Sequence, residues 1–543
     1  MHAPFDEATQ KEVRELMKNE TALRDAFFKD LSFGTGGMRG LMGAGTNRMN
    51  VYTVRAATQG LANYLKMQSG NHSVFIGYDV RNHSREFALE AARVLAGNGM
   101  TVYLTKDICP TPLVSYGCRH FKCSAAIMIT ASHNPPAYNG YKVYWSDGGQ
   151  VVPPHDEGIM AEVRKVSVDS DIPMQDSYQI IGTELDQAYL AELKNYQLYP
   201  ASPIKILYTP LHGTGIRIIP EALKSFGYMQ VRLVEEQKTP DGNFTNAHSP
   251  NPEEKAALEL GTKQLLHEKE DLLIATDPDA DRMGVVALDG EKAVALTGNQ
   301  IACLCLHHIC TALTARKEFP ENAAFIKTIV TTELFSKIAK SFGGACFDVL
   351  TGFKYIAEKM TLWEQSFSGY QYIFGAEESY GYLFGTMVRD KDAISSACLI
   401  AEVAALAKKQ NLSLIDRLYQ IYQKFGLHRE TLVSLSFNEG EAGMDQMKLL
   451  MEKLRKNPPK TIGNIPVIKI EDYLKPTLLP KSDVLRFWLK DHSKLVIRPS
   501  GTEPKVKIYA EVRQEVQDLD KDILACDGRL KKITDELCSV LRY

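Results

Sequence analysis

A serine followed by a histidine stands where a buried strand of the chain is predicted to end. The segment is TASHNP at 130–135, and it follows the apolar run at 125–129. Ligands of open α/β sheets bind at the carboxyl ends of the strands. Ser132 can therefore act as a nucleophile or phosphate carrier, and the imidazole of His133 can move protons. For this segment alone, a capped turn with a chance histidine is the other interpretation.

Three aspartates alternate in the segment DPDADR at 277–282. Apolar runs flank the segment, so it is predicted to be a loop between two strands. Three carboxylates that a curled loop brings together repel one another unless a cation neutralises them. Hard oxygen ligands suit Mg²⁺, so Asp277, Asp279 and Asp281 are candidate metal ligands, with a solvated acidic turn as the alternative.

The segment RPSGTEPK at 498–505 has the composition of a phosphate-binding loop. Its small and hydroxyl residues let backbone N–H groups approach an anion closely. The guanidinium of Arg498 can bind two phosphate oxygens at once, and Lys505 adds a point charge. An ordinary turn after the apolar run KLVI is the alternative.

Two further segments carry weaker signals. EESYG at 377–381 offers carboxylate and hydroxyl groups beside a glycine, which suits sugar hydroxyls, although an exposed turn is the default. FGTGGMRG at 33–40 is not a dinucleotide-binding fingerprint, because Arg39 stands where the last glycine belongs and no strand is predicted before it. We interpret it as a glycine-rich loop that presents Arg39 to an anion.

Strands and helices alternate over most of the chain and must position these segments. The alternation of short apolar, β-branched runs with helical stretches is typical of α/β domains with largely parallel sheets. Residues 455–485 are predicted to be a surface insertion or a loop. Strands are predicted at 74–77, 101–104, 125–129, 204–208, 272–275 and 325–330, and helices at 84–96, 252–268 and 394–409.

Three breaks divide the chain into four predicted domains. The breaks are the proline-rich YPASP at 199–203, the polar KEFPEN at 317–322, and the change to the strand-like LVSLSF after residue 426. The first three domains share the alternation of strands and helices, whereas the last one differs. The predicted domains are 1–200, 201–316, 317–426 and 427–543.

Composition excludes several classes of protein. The chain has 543 residues, of which 44% are hydrophobic, and its net charge of −3 gives no basis for binding nucleic acid or an acidic membrane. The acidic N-terminal residues predict no signal peptide, and the most apolar stretch, 393–407, is too short to span a bilayer. Ten scattered cysteines without a CxxC pair indicate reduced thiols and a cytoplasmic location. The Cys- and His-rich stretch 303–310 is predicted to be a buried helix rather than a zinc site.

Together the five segments resemble those of the α-D-phosphohexomutase superfamily, the phosphoglucomutase/phosphomannomutase enzymes. They follow the family's order and extend from residue 33 to about 509, nearly the whole chain. The resemblance implies an α/β fold with four domains around a central cleft, namely three related mixed α/β sheet domains and a C-terminal α+β domain. It further implies that these domains carry, in order, a phosphoserine loop, a metal-binding loop, a sugar-binding loop and a phosphate-binding loop.

The resemblance also implies roles for individual residues. By similarity, Ser132 is the phosphoserine, and its phosphate completes a site for one Mg²⁺ that is held by Asp277, Asp279 and Asp281. The choice of general acid and base among His133, Lys142 and Lys391 stays open. By similarity, the groups near the reacting phosphate are Arg39, His133, Lys142 and Lys391; those that bind the sugar are Glu377 and Ser379, with Arg282, Thr351 and Gly352 as further substrate contacts; and those that bind the non-reacting phosphate are Arg498, Ser500, Gly501, Thr502 and Lys505.

The activity implied is that of a phosphoglucomutase, an intramolecular phosphotransferase of the isomerase class. Such an enzyme interconverts α-D-glucose 1-phosphate and glucose 6-phosphate through a phosphoserine and glucose 1,6-bisphosphate, which also activates it. EESYG is similar to the glucose-type mutases. Met38, the segment TGFKYI and the chain length resemble the branch that contains phosphopentomutases, so phosphomannomutase and phosphopentomutase are alternatives. Gly36 and Ala376 depart from the usual family residues, but neither removes a reacting group.

Two other classes of protein compete with this interpretation. In a phosphatase of the haloacid-dehalogenase type, Asp277 and Asp279 would form the nucleophile pair, but Asp281 stands where that motif has Thr or Val and TASHNP would have no role. A non-catalytic sugar-phosphate-binding protein would need neither Ser132 nor the aspartates. The expected partner is therefore a small phosphosugar, with no nucleic acid and no membrane.

Overall fold

The structure is a computed structural model that describes residues 5–31, 33–34, 37–70, 72–167, 171–366, 369–437, 441–500 and 504–542. The chain divides into two units. The first unit comprises Met1–Ile301 and Gly352–Leu414, and the second comprises Ala302–Thr351 and Ile415–Tyr543. Among the described helices, none combines the length and the apolar character that crossing a bilayer requires.

The described strands are numbered in chain order. They are β1 (Phe33–Gly34), β2 (Gly37–Leu41), β3 (Ser73–Tyr78), β4 (Thr101–Thr105), β5 (Ala125–Ile129), β6 (Tyr138–Trp145), β7 (Gln179–Ile181), β8 (Lys205–Thr209), β9 (Gln230–Leu233), β10 (Leu272–Thr276), β11 (Met283–Asp289), β12 (Lys292–Ala295), β13 (Ala323–Thr328), β14 (Ala345–Val349), β15 (Gln371–Glu377), β16 (Gly381–Phe384), β17 (Leu427–Ser436), β18 (Thr461–Ile462), β19 (Ile465–Asp472), β20 (Leu485–Leu489), β21 (Lys494–Pro499) and β22 (Lys505–Gln514).

The described helices are numbered in the same way. They are α1 (Glu7–Leu16), α2 (Glu20–Phe27), α3 (Val51–Lys66), α4 (Ser84–Gly97), α5 (Thr111–His120), α6 (His155–Val163), α7 (Glu184–Leu193), α8 (Ile219–Ser225), α9 (Lys255–Glu268), α10 (Gly298–Ala315), α11 (Glu333–Ser341), α12 (Lys354–Glu364), α13 (Ala393–Lys409), α14 (Leu414–Phe425), α15 (Glu441–Lys456) and α16 (Leu519–Arg542).

The first sheet of the first unit has the strand order β1-β2-β6-β5-β3-β4-β7. Strand β3 pairs in parallel with β4 and β5, whereas β6 runs antiparallel to both β5 and β2. Every residue of β3 and β5 is buried, as expected for strands that helices cover on both faces. Because β6 returns beside β5, Lys142 on β6 is level with Met128, just before the end of β5.

The second sheet of the first unit has the order β12-β11-β10-β8-β9. Strand β10 pairs in parallel with β8 and antiparallel with β11, and this second pairing closes at Thr276 and Met283. The DPDADR segment is therefore the connection between two antiparallel neighbours. The pair β15 and β16 repeats this arrangement, because Glu377 pairs with Gly381 and three residues connect the strands.

The second unit carries the parallel pair β13 and β14 and an antiparallel sheet of order β17-β22-β21-β20-β19-β18. Helix α16 packs against β17 and β22 of this sheet. The RPSGTEPK segment connects β21 to β22, which are antiparallel neighbours. A helix on an antiparallel sheet matches the α+β pattern expected for the C-terminal domain.

Each of the strands and helices predicted from the sequence corresponds to an element of the structure, to within about three residues at each end. The strand predicted at 325–330 is shifted, since β13 covers Ala323–Thr328. The loop predicted at 455–485 is wrong, because β18 and β19 lie within it. Strand β19 is largely exposed, with Ile468 60% and Ile470 39% accessible, so it lacks the buried apolar run that reveals the other strands. The cysteines of α10 are buried, as predicted.

Candidate active site

Ser132 lies in the connection between β5 and β6, the Ser132 loop (residues 130–137). Its backbone adopts a left-handed conformation with φ 51°, which costs a non-glycine residue about 1–3 kcal/mol and persists only when the surroundings fix it. The Ser132 amide donates to Thr130 Oγ1 at 2.8 Å. Ser132 Oγ donates to Asp277 Oδ2 at 2.7 Å and lies 3.2 Å from His133 Nδ1. The side chain is 3% exposed, so this hydroxyl is held at a defined position against the aspartates.

The three aspartates predicted as metal ligands converge. Their carboxylate oxygens lie within 4.8 Å of one another, and each residue is at most 1% exposed. The amides of Asp281 and Arg282 donate to Asp277 Oδ1 at 3.1 and 2.9 Å, which curls the loop. Within the described residues, Asp279 Oδ1 and Asp281 Oδ1 are buried without a hydrogen-bond partner. Buried carboxylate oxygens without donors fit a hard divalent cation, so these residues suit the predicted Mg²⁺.

Two lysines lie against the aspartates. Lys142 Nζ lies 2.8 Å from Asp279 Oδ2 and 3.2 Å from Asp281 Oδ2. Lys391 Nζ lies 3.2 Å from Asp281 Oδ2 and 2.9 Å from Asp390 Oδ1. Burial alone would lower the pKa of each ammonium, but the adjacent carboxylates hold both pKa values above the ordinary range. The lysines are therefore charged at neutral pH and can stabilise negative charge on a phosphoryl group.

Burial and neighbouring charges shift the pKa values of the groups around Ser132 in different directions. Burial, together with the negative charge of Asp279, raises the pKa of Asp277 well above its usual value. Burial acts in the same direction on Asp279, but the Lys142 ammonium prevails and lowers the pKa of Asp279. Burial lowers the pKa of His133 well below its usual value, and the nearby Arg282 guanidinium adds to this effect. The imidazole of His133 is therefore neutral at neutral pH.

The interpretation of Arg39 as part of a glycine-rich loop is wrong, because Arg39 lies in strand β2. Gly37 has φ 98°, and a Cβ there would lie 2.7 Å from the carbonyl oxygen of Tyr141. Without a side chain at Gly37, β2 can pair closely with β6. Arg39 Nη1 donates to Asn134 Oδ1 at 2.7 Å, so the guanidinium contacts the Ser132 loop.

The predicted sugar-binding residues lie around the connection between β15 and β16. Arg282 Nη1 donates to the carbonyl oxygen of Ser379 at 3.0 Å, and Glu377 Oε1 accepts from the amide of Gly352 at 2.9 Å. Burial raises the pKa of Glu377, although Lys391 opposes the shift. The structure thus brings four of these residues together in the first unit, whereas Thr351 is assigned to the second unit.

Gly381 gives a test of how Lys391 is positioned. A Cβ at Gly381 would lie 2.3 Å from Lys391 Cδ, so the lysine side chain crosses the glycine at van der Waals contact. We expect Gly381→Ala to displace the ammonium and to lower kcat about ten- to a hundred-fold, since small misplacements near a reacting group cost that much. Steady-state kinetics measure this effect.

The matched control is Gly528→Ala in α16, where a Cβ would meet no atom within 4 Å. This control should keep full turnover and gain about 0.5–1 kcal/mol of stability from the better helix propensity of alanine. Full turnover in Gly381→Ala would contradict the positioning of Lys391 by this glycine.

The predicted phosphate-binding residues surround the connection between β21 and β22. Arg498 lies near the end of β21, and Lys505 begins β22. The Ser500 amide donates to the carbonyl oxygen of Lys505 at 2.8 Å, which closes the connection. Gly501 and Thr502 lie outside the described residues. Arg498 and Ser500 are both half-buried.

Three residues that contact the site, Thr111, Asp79 and Arg81, were not found from the sequence. Thr111 Oγ1 donates to Asp279 Oδ2 at 2.7 Å, and the Thr111 amide donates to the carbonyl oxygen of Asp279 at 2.8 Å. Asp79 accepts from Thr130 Oγ1 at 2.6 Å, and Arg81 Nη2 donates to the carbonyl oxygen of Ser132 at 2.6 Å. Asp79 and Arg81 follow β3 directly, so the strand-end rule that indicated Ser132 would have indicated them too.

Known proteins match the chain over nearly its whole length. The sequence matches four families: Phosphoglucomutase/phosphomannomutase, alpha/beta/alpha domain I at residues 30–169, domain II at 187–290, domain III at 297–425, and the C-terminal domain at 452–525. A phosphoglucomutase of Staphylococcus aureus (strain bovine RF122 / ET3-1) is 38% identical over 510 residues, which are 90% of this chain and 91% of the relative. A phosphoglucomutase of Staphylococcus haemolyticus (strain JCSC1435) is 36% identical over 530 residues, 93% of this chain and 94% of the relative.

A solved structure shares the fold. A phosphoglucomutase/phosphomannomutase family protein from Burkholderia thailandensis superposes with a TM-score of 0.70 at 19% identity, covering 94% of this chain and 96% of that one. The matches confirm the predicted fold class and the prediction of a mutase of the isomerase class. They favour this family over a phosphatase of the dehalogenase type. The domain boundaries and the roles of single residues stay predictions. With all four domain families matched in order, the chain belongs to the phosphoglucomutase/phosphomannomutase family.

Proposed function

We propose that this protein is a phosphoglucomutase that interconverts α-D-glucose 1-phosphate and glucose 6-phosphate. One observation carries the proposal. The buried Ser132 hydroxyl is 2.7 Å from an aspartate of a converged triplet in which Asp279 and Asp281 each keep an unpartnered buried oxygen. The choice of glucose is supported by relatives of 36–38% identity over at least 90% of the chain that are named phosphoglucomutases.

The proposed reaction is two phosphoryl transfers through Ser132. In the first, a free hydroxyl of the bound sugar phosphate attacks the phosphorus of phosphorylated Ser132. The new sugar O–P bond forms, and the bond from phosphorus to Ser132 Oγ breaks. A base takes the proton of the sugar hydroxyl, and the leaving Ser132 Oγ receives a proton from an acid. The product is glucose 1,6-bisphosphate, and transfer of its other phosphate back to Ser132 Oγ completes the isomerisation.

The cationic groups around Ser132 support transfer rather than binding alone. Phosphoryl transfer spreads negative charge over the equatorial oxygens, so catalysis rests on positioning and on charge stabilisation. Lys142 and Lys391 are held beside the triplet, and Arg39 contacts the Ser132 loop. A divalent cation held by the three aspartates and the phosphate of Ser132 would supply further charge neutralisation, and we propose Mg²⁺.

We propose the remaining roles by family similarity. Glu377 and Ser379 would bind sugar hydroxyls, and Arg498 with its loop would bind the phosphate that is not reacting. A guanidinium binds phosphate through two parallel hydrogen bonds and stays charged at any working pH. The proton acceptor stays open among His133, Lys142 and Lys391. A cytoplasmic location is supported by the buried free cysteines, which suit a reducing compartment.

A panel of 1-phosphosugars tests the proposed activity. Glucose, mannose, ribose and N-acetylglucosamine 1-phosphates are compared by kcat/KM, with the isomer product and free phosphate both measured. We expect glucose 1-phosphate to be preferred by about ten-fold or more, the size of a difference of at least 1.4 kcal/mol in transition-state binding. A preference for mannose or ribose 1-phosphate would replace the sugar but keep the mutase. Release of free phosphate without isomer would contradict the mutase itself.

A further inference from the structure

Arg81 is a buried arginine whose guanidinium is used almost entirely by the Ser132 loop. It stands two residues after the Asp79 that follows β3, and it is 3% exposed. Its Nη2 donates to the carbonyl oxygens of Ser132, at 2.6 Å, and of Asn134. Its Nη1 donates to the carbonyl oxygens of Pro135 and Tyr138 at 2.9 and 3.0 Å. One side chain therefore binds four carbonyl groups, three in the Ser132 loop and one at the first residue of β6.

The sequence of the loop explains why it needs such a donor. Asn134, Pro135 and Pro136 follow His133, and neither proline has an N–H group to donate. The loop therefore has fewer backbone donors than carbonyl acceptors, and the buried carbonyl group of Ser132 would be costly to leave without a partner. A guanidinium has five N–H donors in a fixed plane and can supply several bonds in one direction. An ammonium in its place has three donors and no fixed plane.

The direction of these carbonyl groups also orients the rest of the loop. Across a trans peptide the carbonyl and the next N–H point to opposite sides. With its carbonyl oxygen turned toward Arg81, Ser132 keeps the left-handed backbone that brings Oγ within 2.7 Å of Asp277. The guanidinium thus lies behind the loop, on the side away from the next amide.

Two further residues hold the guanidinium itself. Asp79 Oδ2 lies 3.3 Å from Arg81 Nε and also accepts from Thr130 Oγ1 at 2.6 Å. Thr130 in turn accepts the Ser132 amide, so Asp79 joins the arginine to the nucleophile's own backbone. The guanidinium carbon lies 5.0 Å from the ring centre of Phe244, a fully buried residue between β9 and α9.

We propose that Arg81 is the positioning residue of the Ser132 loop: together with Asp79 and Phe244 it holds the serine in the conformation from which Oγ accepts and gives up the phosphoryl group. Arg81 touches no reacting atom, and it acts through the backbone of Ser132. This inference rests on the proposed function, since it assigns a positioning role for the same nucleophile.

The test is the rate at which Ser132 gains a phosphoryl group from glucose 1,6-bisphosphate in a single turnover, followed by intact-mass analysis. We expect Arg81→Lys, which keeps the charge but loses the planar fork, to slow this step and kcat about ten- to a hundred-fold. KM for glucose 1-phosphate should stay within about two-fold, since substrate contacts are intact. A loss that appears in KM instead of in the phosphorylation rate would overturn the positioning role.

A matched control separates positioning from general destabilisation. Arg486 is also buried, pairs with Asp348 at 2.6 Å, and lies 5.3 Å from the ring centre of Trp488. Arg486→Lys removes the same fork from a comparable aromatic and ionic setting outside the Ser132 loop. It should lower the melting temperature by an amount similar to Arg81→Lys while it keeps the phosphorylation rate. Equal slowing in both variants would overturn the proposal.

Rescue by free guanidinium gives a readout that a merely structural role would not move. A surface cavity of about 380 Å³ is lined by Arg81, His83 and Arg85, and we expect a small cation to enter the space left by the missing side chain from this cavity. Millimolar guanidinium should restore about five-fold or more of the phosphorylation rate of Arg81→Ala, and leave the wild type unchanged. Methylammonium, which has no planar fork, should restore less. Equal rescue by both cations, or no rescue by either, would contradict a role for the planar guanidinium group of Arg81.

Phe244→Leu keeps the proposal testable if the arginine variants do not fold. It leaves every hydrogen bond of Arg81 in place and removes only the ring beneath the guanidinium. We expect a phosphorylation rate about two- to five-fold lower, because the guanidinium loses the ring but keeps its hydrogen bonds. An unchanged rate would remove Phe244 from the assembly, and an unchanged rate in a folded Arg81→Lys would overturn the proposal. A wild-type enzyme that never becomes phosphorylated on Ser132 would instead overturn the proposed function.

Discussion

Replacing Ser132 by alanine is expected to remove mutase turnover almost completely. The variant keeps the loop and the aspartates but has no oxygen to carry the phosphoryl group between the two sugar positions. Loss of the nucleophile itself removes the covalent route, so we expect kcat to fall about a thousand-fold or more. The melting temperature should change little, because the hydroxyl makes one hydrogen bond to a carboxylate, that of Asp277, and one contact with His133.

Two measurements check this result. Intact-mass and peptide analysis should find a phosphoryl group on the peptide that contains Ser132 in active wild type, and none in Ser132→Ala. The matched control is Ser493→Ala, since Ser493 is also a buried serine whose Oγ donates to a carboxylate, Asp491 Oδ2, at 2.9 Å. That control should keep its turnover. Near-normal turnover of Ser132→Ala, or phosphate on another residue, would contradict the assignment.

The sequence locates groups that lie at the end of a single strand. Ser132 follows β5 and the aspartates follow β10, and each of these two strands is a buried apolar run that period and composition reveal. The polar residue after such a run is then a candidate by position alone. This rule needs no knowledge of how the sheets pack, which is why these candidates emerge from the residues themselves.

Contacts between distant segments could not be predicted in the same way. Lys142 contacts Asp279 only because β6 returns beside β5 and because, in the first unit, the first sheet lies next to the loop that follows β10 of the second sheet. The sequence pattern around Lys142 does not indicate that it forms an ion pair with a carboxylate. Only the family resemblance identified it as a candidate residue. Thr111 is similar, since a threonine after a proline at a helix start is more often a structural feature than a site.

Two errors have a common physical origin. Arg39 was expected in a loop because glycines surround it, yet glycine also permits the close strand pairing of β2 with β6. Strand β19 was missed because Ile468 and Ile470 face solvent, so burial does not set its pattern. In both cases the segment is a strand because it pairs with a neighbouring strand. The pattern of its side chains does not indicate this pairing.

Removal of the metal is expected to have an effect of similar size to loss of the serine. The three aspartates are buried together, and only Asp279 and Asp281 have ammonium partners at hydrogen-bond distance. Asp279 Oδ1 and Asp281 Oδ1 are buried without a hydrogen-bond donor among the described residues, and only Arg282 Nε, at 3.9 Å from Asp281 Oδ1, forms an ion pair there. A chelator should therefore stop turnover, and added Mg²⁺ should restore it. Full turnover in the presence of a chelator would contradict the metal site.

Asp279→Asn tests the site without relying on activity alone. The amide keeps a similar shape but removes one of three charged ligands, so kcat should fall about a hundred-fold or more, since charge stabilisation by a metal is worth several kcal/mol. Binding of Mg²⁺ to the folded wild type should raise its melting temperature, because a ligand at a hundred times its Kd adds about 2.7 kcal/mol of stability. That rise should vanish in Asp279→Asn.

The matched control is Asp289→Asn at the far end of β11, half-buried and outside the triplet, which should keep both the rise and the turnover. If Asp279→Asn lost activity but kept the full Mg²⁺-dependent rise, the aspartate would be acting on Lys142 or Thr111, its two hydrogen-bond partners, and not on a metal.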